Sequence, residues 1–162
     1  MRVLLDTNVL LDGILQRPPW HQEADAVLQA GALGQVTCAA TTLSLATVFY
    51  VARKAVGAVT ARAAVRKCLG ALVILPIDKQ SLLDADAMAG SDLEDNIQIA
   101  AAVTTSLDAV VTRNVAHFAH CPIPVWEPAE LLKRLAGGGS PPARRQLLDL
   151  ARRPACLSSR LG

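Results

Sequence analysis

The stretch Val3-Leu4-Leu5-Asp6-Thr7-Asn8-Val9-Leu10-Leu11 decides the fold class. Three apolar residues without alternation, closed by an acid, make a strand covered on both faces, and that is the setting of a parallel sheet. Thr7-Asn8 can then cap a short helix carrying Val9, Leu10 and Leu11. Working outward, residues 21–33 read as a helix with Ala24, Val27 and Leu28 on one face and Gly34 as its stop. Val36-Thr37-Cys38 is a second short strand. Thr41 or Thr42 caps a helix through Leu45, Val48, Phe49 and Ala52, and Thr60 begins another. Leu72-Val73-Ile74-Leu75 is the third strand, closed by Pro76, and residues 79–89 read as helix. Ser91, with Glu94 three residues on, forms a capping box for a helix to about Ser106. Ala109-Val110-Val111 is the fourth strand. Ile123-Pro124-Val125 is a short fifth, at an edge because proline cannot serve a central ladder. Glu127 to Leu135 closes the series as a helix. Strands alternating with helices predict a three-layer α/β/α sandwich around a central parallel sheet of four to five strands.

Composition narrows the function classes. The chain has 162 residues, 52% hydrophobic, with mean hydropathy +0.34 and only 3% aromatic residues. That is one domain with a core of Ala, Val, Leu and Ile, and it weighs against folds that stack bases on aromatic platforms. No uninterrupted apolar run reaches about 18 residues, so no membrane span is expected. Asp6 follows Met1-Arg2-Val3-Leu4-Leu5 too soon for a signal peptide, and a soluble, cytoplasmic protein is the expectation. Cys38, Cys68, Cys121 and Cys156 are too scattered for a zinc motif or a disulfide framework. Residues 1–135 carry 11 basic and 13 acidic side chains, a balance of −2; the remaining 27 carry five and one, a balance of +4. A mildly acidic body does not coat DNA non-specifically. Residues 1–135 therefore read as the domain. Residues 136–162 read as a Gly/Pro-rich linker, Gly137-Gly138-Gly139-Ser140-Pro141-Pro142, and a basic tail.

Function in open α/β sheets lies beyond the carboxyl ends of the strands. The residues there are Asp6, Thr7 and Asn8 after the first strand, and Thr112, Arg113 and Asn114 after the fourth. Asp92 and Asp95, three apart, share one face of a helix start, while Glu94 points elsewhere with its capping role. If that helix start packs against the end of the first strand, Asp6 and Asp95 converge with Asp92 nearby. Carboxylates that close repel unless protonated or joined by a divalent cation, and all-oxygen ligands favour Mg²⁺ or Mn²⁺. The same residues also suit a plain structural role. First-turn acids complement the helix dipole, and Asp6 can cap the helix that follows it.

Three segments resemble the motifs of PIN-domain proteins, which include the VapC-type toxins of bacteria and archaea. They are Leu4-Leu5-Asp6-Thr7-Asn8-Val9-Leu10-Leu11-Asp12, Asp92-Leu93-Glu94-Asp95-Asn96-Ile97-Gln98-Ile99-Ala100, and Leu107-Asp108-Ala109-Val110-Val111-Thr112-Arg113-Asn114. Their order and spacing agree over roughly residues 1–135. The resemblance implies a Mg²⁺- or Mn²⁺-dependent endoribonuclease that forms a homodimer and, as a toxin, is neutralised by a cognate antitoxin. It implies Asp6 and Asp95 as metal ligands, Asp92 as an auxiliary ligand or water-holder, Asn8 bracing Asp6, and Thr112 bonded to the carboxylates or to substrate. The sequence departs from the family at two acidic positions: Thr47 stands where a glutamate is usual, and Asn114 replaces the fourth acid. These losses point to the alternative of a PIN-like module that binds RNA or a protein partner without cutting. Arg17, Arg53, Lys54 and Arg113 are candidate phosphate contacts. His117 and His120 have a spacing open to zinc, but they sit in a loop beside Phe118. A phospho-receiver reading shares the architecture and the early Asp, but lacks a phosphorylatable Asp ending a middle strand and a Lys after a later one.

Overall fold

The computed structural model describes residues 1–138. They form β1 (Arg2–Leu5), α1 (Thr7–Leu15), α2 (His21–Ala32), β2 (Thr37–Thr41), α3 (Thr42–Ala71), β3 (Val73–Leu75), α4 (Lys79–Asp86), α5 (Leu93–Thr104), β4 (Ala109–Val111), β5 (Val125–Trp126) and α6 (Pro128–Ala136). A single 3₁₀ turn, Val115–Phe118, lies between β4 and β5. All strand pairs are parallel, in the order β3-β2-β1-β4-β5. The linker from residue 139 and the basic tail lie outside the described residues, as does Cys156.

The alternation of strand side chains sorts the core into two layers. Val3, Leu5, Cys38, Ala40, Ala109 and Val111 face one way, against residues of α1, α2, α3 and α6 that include Leu10, Val27, Val48 and Leu131. Leu4, Ala39 and Val110 face the other way, against Ile99, Ala101 and Ala102 of α5 and against Phe118. Leu4 and Leu5 are both fully buried on opposite faces. This is why the opening run is apolar without alternation. Cys38 and Cys68 are buried free thiols and Cys121 is a partly buried one.

Two local expectations are adjusted. The second of the two expected helices is present but begins just after Gly57 rather than at Thr60: Gly57 breaks α3 into two halves at φ 80°, ψ 160°, a left-handed φ that only glycine takes freely. Ser91 does not cap α5. Asp92 does, with its Oδ1 accepting from the N–H groups of Glu94 (2.8 Å) and Asp95 (3.3 Å). Glu94 is accordingly released from capping and turns toward α1. Among the described helices α3 alone is long and apolar enough to cross a membrane. Its break at Gly57 and its packing against α1, β2 and β3 make it the crossover between two adjacent strands.

Candidate active site

Register places the site. Leu4 pairs with Ala39 and Leu5 with Val111, so Asp6 stands level with Thr41 on one side and Thr112 on the other. Asp6 occupies the cap position of α1 but makes no capping bond. Its Oδ1 accepts from Gln98 Nε2 (3.0 Å) and its Oδ2 from Thr112 Oγ1 (2.6 Å). Both bonds are buried, and Asp6 itself is only 3% exposed. A carboxylate with two fixed donors cannot swing to cap α1, so the plain capping role is excluded for Asp6.

The N-terminus of α5 arrives at the same place. Asp95 is close enough to Asp6 and Asp92 that both raise its pKa; burial raises it most, and the result is about 6. His117 Nδ1 lies 3.3 Å from Asp95 Oδ2 and pulls the other way without winning. The Thr7 hydroxyl donates to Glu94 Oε1 at 2.9 Å, tying the starts of α1 and α5 together across 87 residues of sequence. Two helix N-termini thus point at one cluster of carboxylates, and their dipoles offset part of the repulsion. On the side of β4, the N–H of Asn114 donates to Thr112 Oγ1 (3.0 Å), which fixes the hydroxyl that holds Asp6.

The remaining candidates divide. Asn8 does not brace Asp6. No hydrogen bond joins it to Asp6, and its Oδ1, an acceptor like the Asp6 carboxylate itself, is buried without a hydrogen-bond partner. Thr47 is half-buried in the second turn of α3 and adds no charge, and exposed Asn114 adds none either. Arg113 is not a free phosphate contact. Its guanidinium lies 3.3 Å from Asp12 and 4.0 Å from the centre of the Trp20 ring, packed and paired at once. Arg17 lies 3.8 Å from the same Asp12. Asp12 is 1% exposed, and burial raises its pKa despite both arginines. Arg53 and Lys54 lie far along α3, over the face of Tyr50. His120 Nε2 is bonded to Asn96 Oδ1 (2.8 Å) and His117 to Asp95, so the two histidines share no zinc site.

Sequence reasoning missed Gln98, Glu94, Asp12 and His117 as parts of this cluster. Gln98 had one signal: it is three residues after Asp95, on the same helix face. Among the described residues no three His, Cys, Asp or Glu side chains close into a ready-made metal cage. Mg²⁺ does not need one, since it keeps several waters and is held by one or two carboxylates plus substrate phosphate. Asp6 and Asp95 offer carboxylates of that kind, the proton affinity of Asp95 being raised first by burial and then by Asp6.

Comparison with known proteins shows the family. The PIN domain family model matches residues 2–116, and the chain belongs to that family, whose members are generally nucleases. Among solved structures the chain is similar to a toxin–antitoxin complex from Klebsiella pneumoniae, with 26% identity and a TM-score of 0.59. That match covers 78% of this chain and 97% of the other. It is also similar to DNA-bound VapBC from Salmonella typhimurium (19%, TM-score 0.59, 79% and 98% covered). VapBC2 from Rickettsia felis, bound to a DNA fragment from their promoter, shares the fold at 17% identity (TM-score 0.56, 78% and 98% covered). The comparison with curated proteins finds no match.

Proposed function

We propose that the chain is a Mg²⁺- or Mn²⁺-dependent endoribonuclease, the toxin of a toxin–antitoxin pair acting in the cytoplasm. The observation that carries this reading is the convergence of Asp6 and Asp95, from elements 89 residues apart, at the carboxyl edge of the sheet. Asp6 and Asp95 would hold the ion. Asp92 would hold one of its waters through Oδ2, since Oδ1 is committed to capping. Such an ion supplies Lewis acidity at the scissile phosphate and lowers the pKa of a bound water. The chain's own residues supply the rest. Gln98 and Thr112 lock Asp6 in one orientation, Thr7 and Glu94 fix α5 against α1, and His117 orients Asp95. The solved relatives that form toxin–antitoxin complexes support a protein antitoxin as partner, and the family supports a homodimer.

The test is cleavage of a mixed RNA pool with Mg²⁺, Mn²⁺ or EDTA, beside Asp6→Asn. Metal-dependent cleavage that falls at least 100-fold in the variant is the expected result. Equal inactivity of two folded proteins in both metals overturns it. The absence of acids at Thr47 and Asn114 favours the second reading, a PIN module that binds RNA or a protein without cutting, and that outcome would select it.

A further inference from the structure

Helix α3 carries Arg53, Lys54, Arg62, Arg66 and Lys67 and no acidic residue at all. All five cations are exposed, and none has a carboxylate partner among the described residues. Elsewhere in residues 1–138 there are six cations and thirteen acids, so α3 is the positive element of a negative body; Arg53, Lys54, Arg62 and Arg66 form a ridge beside Tyr50 and Phe49, and Lys67 lines a groove against α1 and α2. Surface cations in a protein this acidic are expected to find counter-charges. Their segregation onto one helix calls for an external one.

The break at Gly57 shapes the ridge. Phe49 and Arg62 are thirteen residues apart, roughly 20 Å along a straight helix, yet the Arg62 guanidinium lies 5.7 Å from the centre of the Phe49 ring. The two halves of α3 therefore fold toward each other. Between them is an open groove of about 340 Å³ lined by Phe49, Val65, Arg62 and Arg66. On the first half, Arg53 and Lys54 flank the exposed ring of Tyr50 at 4.8 and 4.4 Å. The aromatic rings hold the long side chains in place, which lowers the entropy lost when an anion binds. The helix that carries the cations starts beside the carboxylate site. Thr41, which caps α3 through Ser44 N–H (2.9 Å), stands level with Asp6 on the neighbouring strand.

We infer that the outer face of α3 docks the phosphate backbone of single-stranded RNA, holding the substrate at a distance from the carboxylate site. This rests on the ribonuclease reading above. A second copy of the chain is a poor occupant, because five cations would meet five. A polyanion long enough to lie across the carboxylate site and the first half of α3 meets Arg53 and Lys54 about 17 Å from the helix start. The binding is sequence-independent, since phosphate contacts position a strand without reading it.

The test is binding of a labelled single-stranded RNA of about 20 nucleotides in EDTA, by fluorescence anisotropy across a salt series. For single strands, log K falls with log salt by about 0.7 per phosphate neutralised. Arg53→Gln/Lys54→Gln should therefore flatten the slope by about 1.4 and weaken binding about 25-fold at 0.1 M salt. Arg62→Gln/Arg66→Gln should do the same independently, which covers the case in which one pair misfolds. Arg134→Gln, on α6 and paired with Glu130, is the control and should leave the slope unchanged. Slopes unaltered in both folded double variants overturn the inference, and if the wild type cleaves RNA the ribonuclease reading survives. A ridge-dependent slope in a protein that cuts nothing supports the surface and overturns the ribonuclease reading. Ridge-dependent binding to anionic phospholipid vesicles with none to RNA also overturns the inference, in favour of a membrane.

Discussion

Replacing Asp95 by Asn is expected to stabilise the metal-free domain at neutral pH, which is unusual for a residue in a candidate active site. The folded pKa of Asp95 is about 6, against 3.8 for the free side chain, because of burial and then of Asp6 and Asp92. At 1.36 kcal/mol per unit, about 2 units correspond to about 3 kcal/mol of strain when Asp95 is ionised. Its side chain is 15% exposed, so solvent screening removes little of this. Asn forfeits the favourable dipole interaction at the start of α5, about 1 kcal/mol, while the His117 pairing is already contained in the net shift. The net gain is about 1–2 kcal/mol, or roughly 3–6 °C in Tm for a domain of this size.

The pH dependence has a definite sign. Between pH 3.8 and about 6 the folded chain holds a proton that the unfolded chain has released. The strain is therefore absent below pH 4 and complete above about pH 6.5. Thermal unfolding in EDTA should show wild type and Asp95→Asn nearly equal at pH 4.5 and the variant ahead at pH 7.5. Comparing the two proteins cancels Asp12, whose pKa is also raised by burial. Mg²⁺ should raise the wild-type Tm at pH 7.5 and leave the variant unchanged. A variant less stable than wild type by the same amount at both pH values would refute the claim that Asp6 and Asp95 are crowded.

Other perturbations address the supports of the site. Thr112→Val removes the 2.6 Å donor to Asp6; it should cost about 1.5–3 kcal/mol in a denaturant titration and at least tenfold in RNA cleavage. Asp12→Ala strands Arg113 on Trp20 and should cost about 2–3 kcal/mol, below the range for fully buried pairs because the guanidiniums reach solvent. A Cβ on Gly90 would collide with Asn96 and His120, and Asn96 Nδ2 donates to the carbonyls of Ala85 and Gly90. Gly90→Ala should lower stability by about 1–3 kcal/mol by loosening the turn into α5. Asn114→Asp restores one acid beside Thr112 and should tighten Mn²⁺ binding severalfold by calorimetry, since carboxylate count tunes affinity for hard cations.

The sequence by itself determined the layers. Runs such as Val3-Leu4-Leu5 and Ala109-Val110-Val111 are apolar at every position because both sheet faces are covered, and that is a local property readable from the order of residues. Asp6 and Asp95 stood out for a related reason: acids immediately after a buried strand or in a helix's first turn sit where sites form. Tertiary structure decided what each polar group bonds to. Asn8 and Glu94 were misassigned because a side chain's partner depends on what arrives from elsewhere. Gln98 and Thr112 come from 92 and 106 residues away to take the Asp6 carboxylate. Thr7 reaches Glu94 only because α1 and α5 start side by side. Arg113 and Arg53 look alike in the sequence, yet one is paired and stacked while the other stands on an unpaired ridge. Burial pattern is written along the chain at short range. Electrostatic partnership is written across it, at separations where sequence carries no distance.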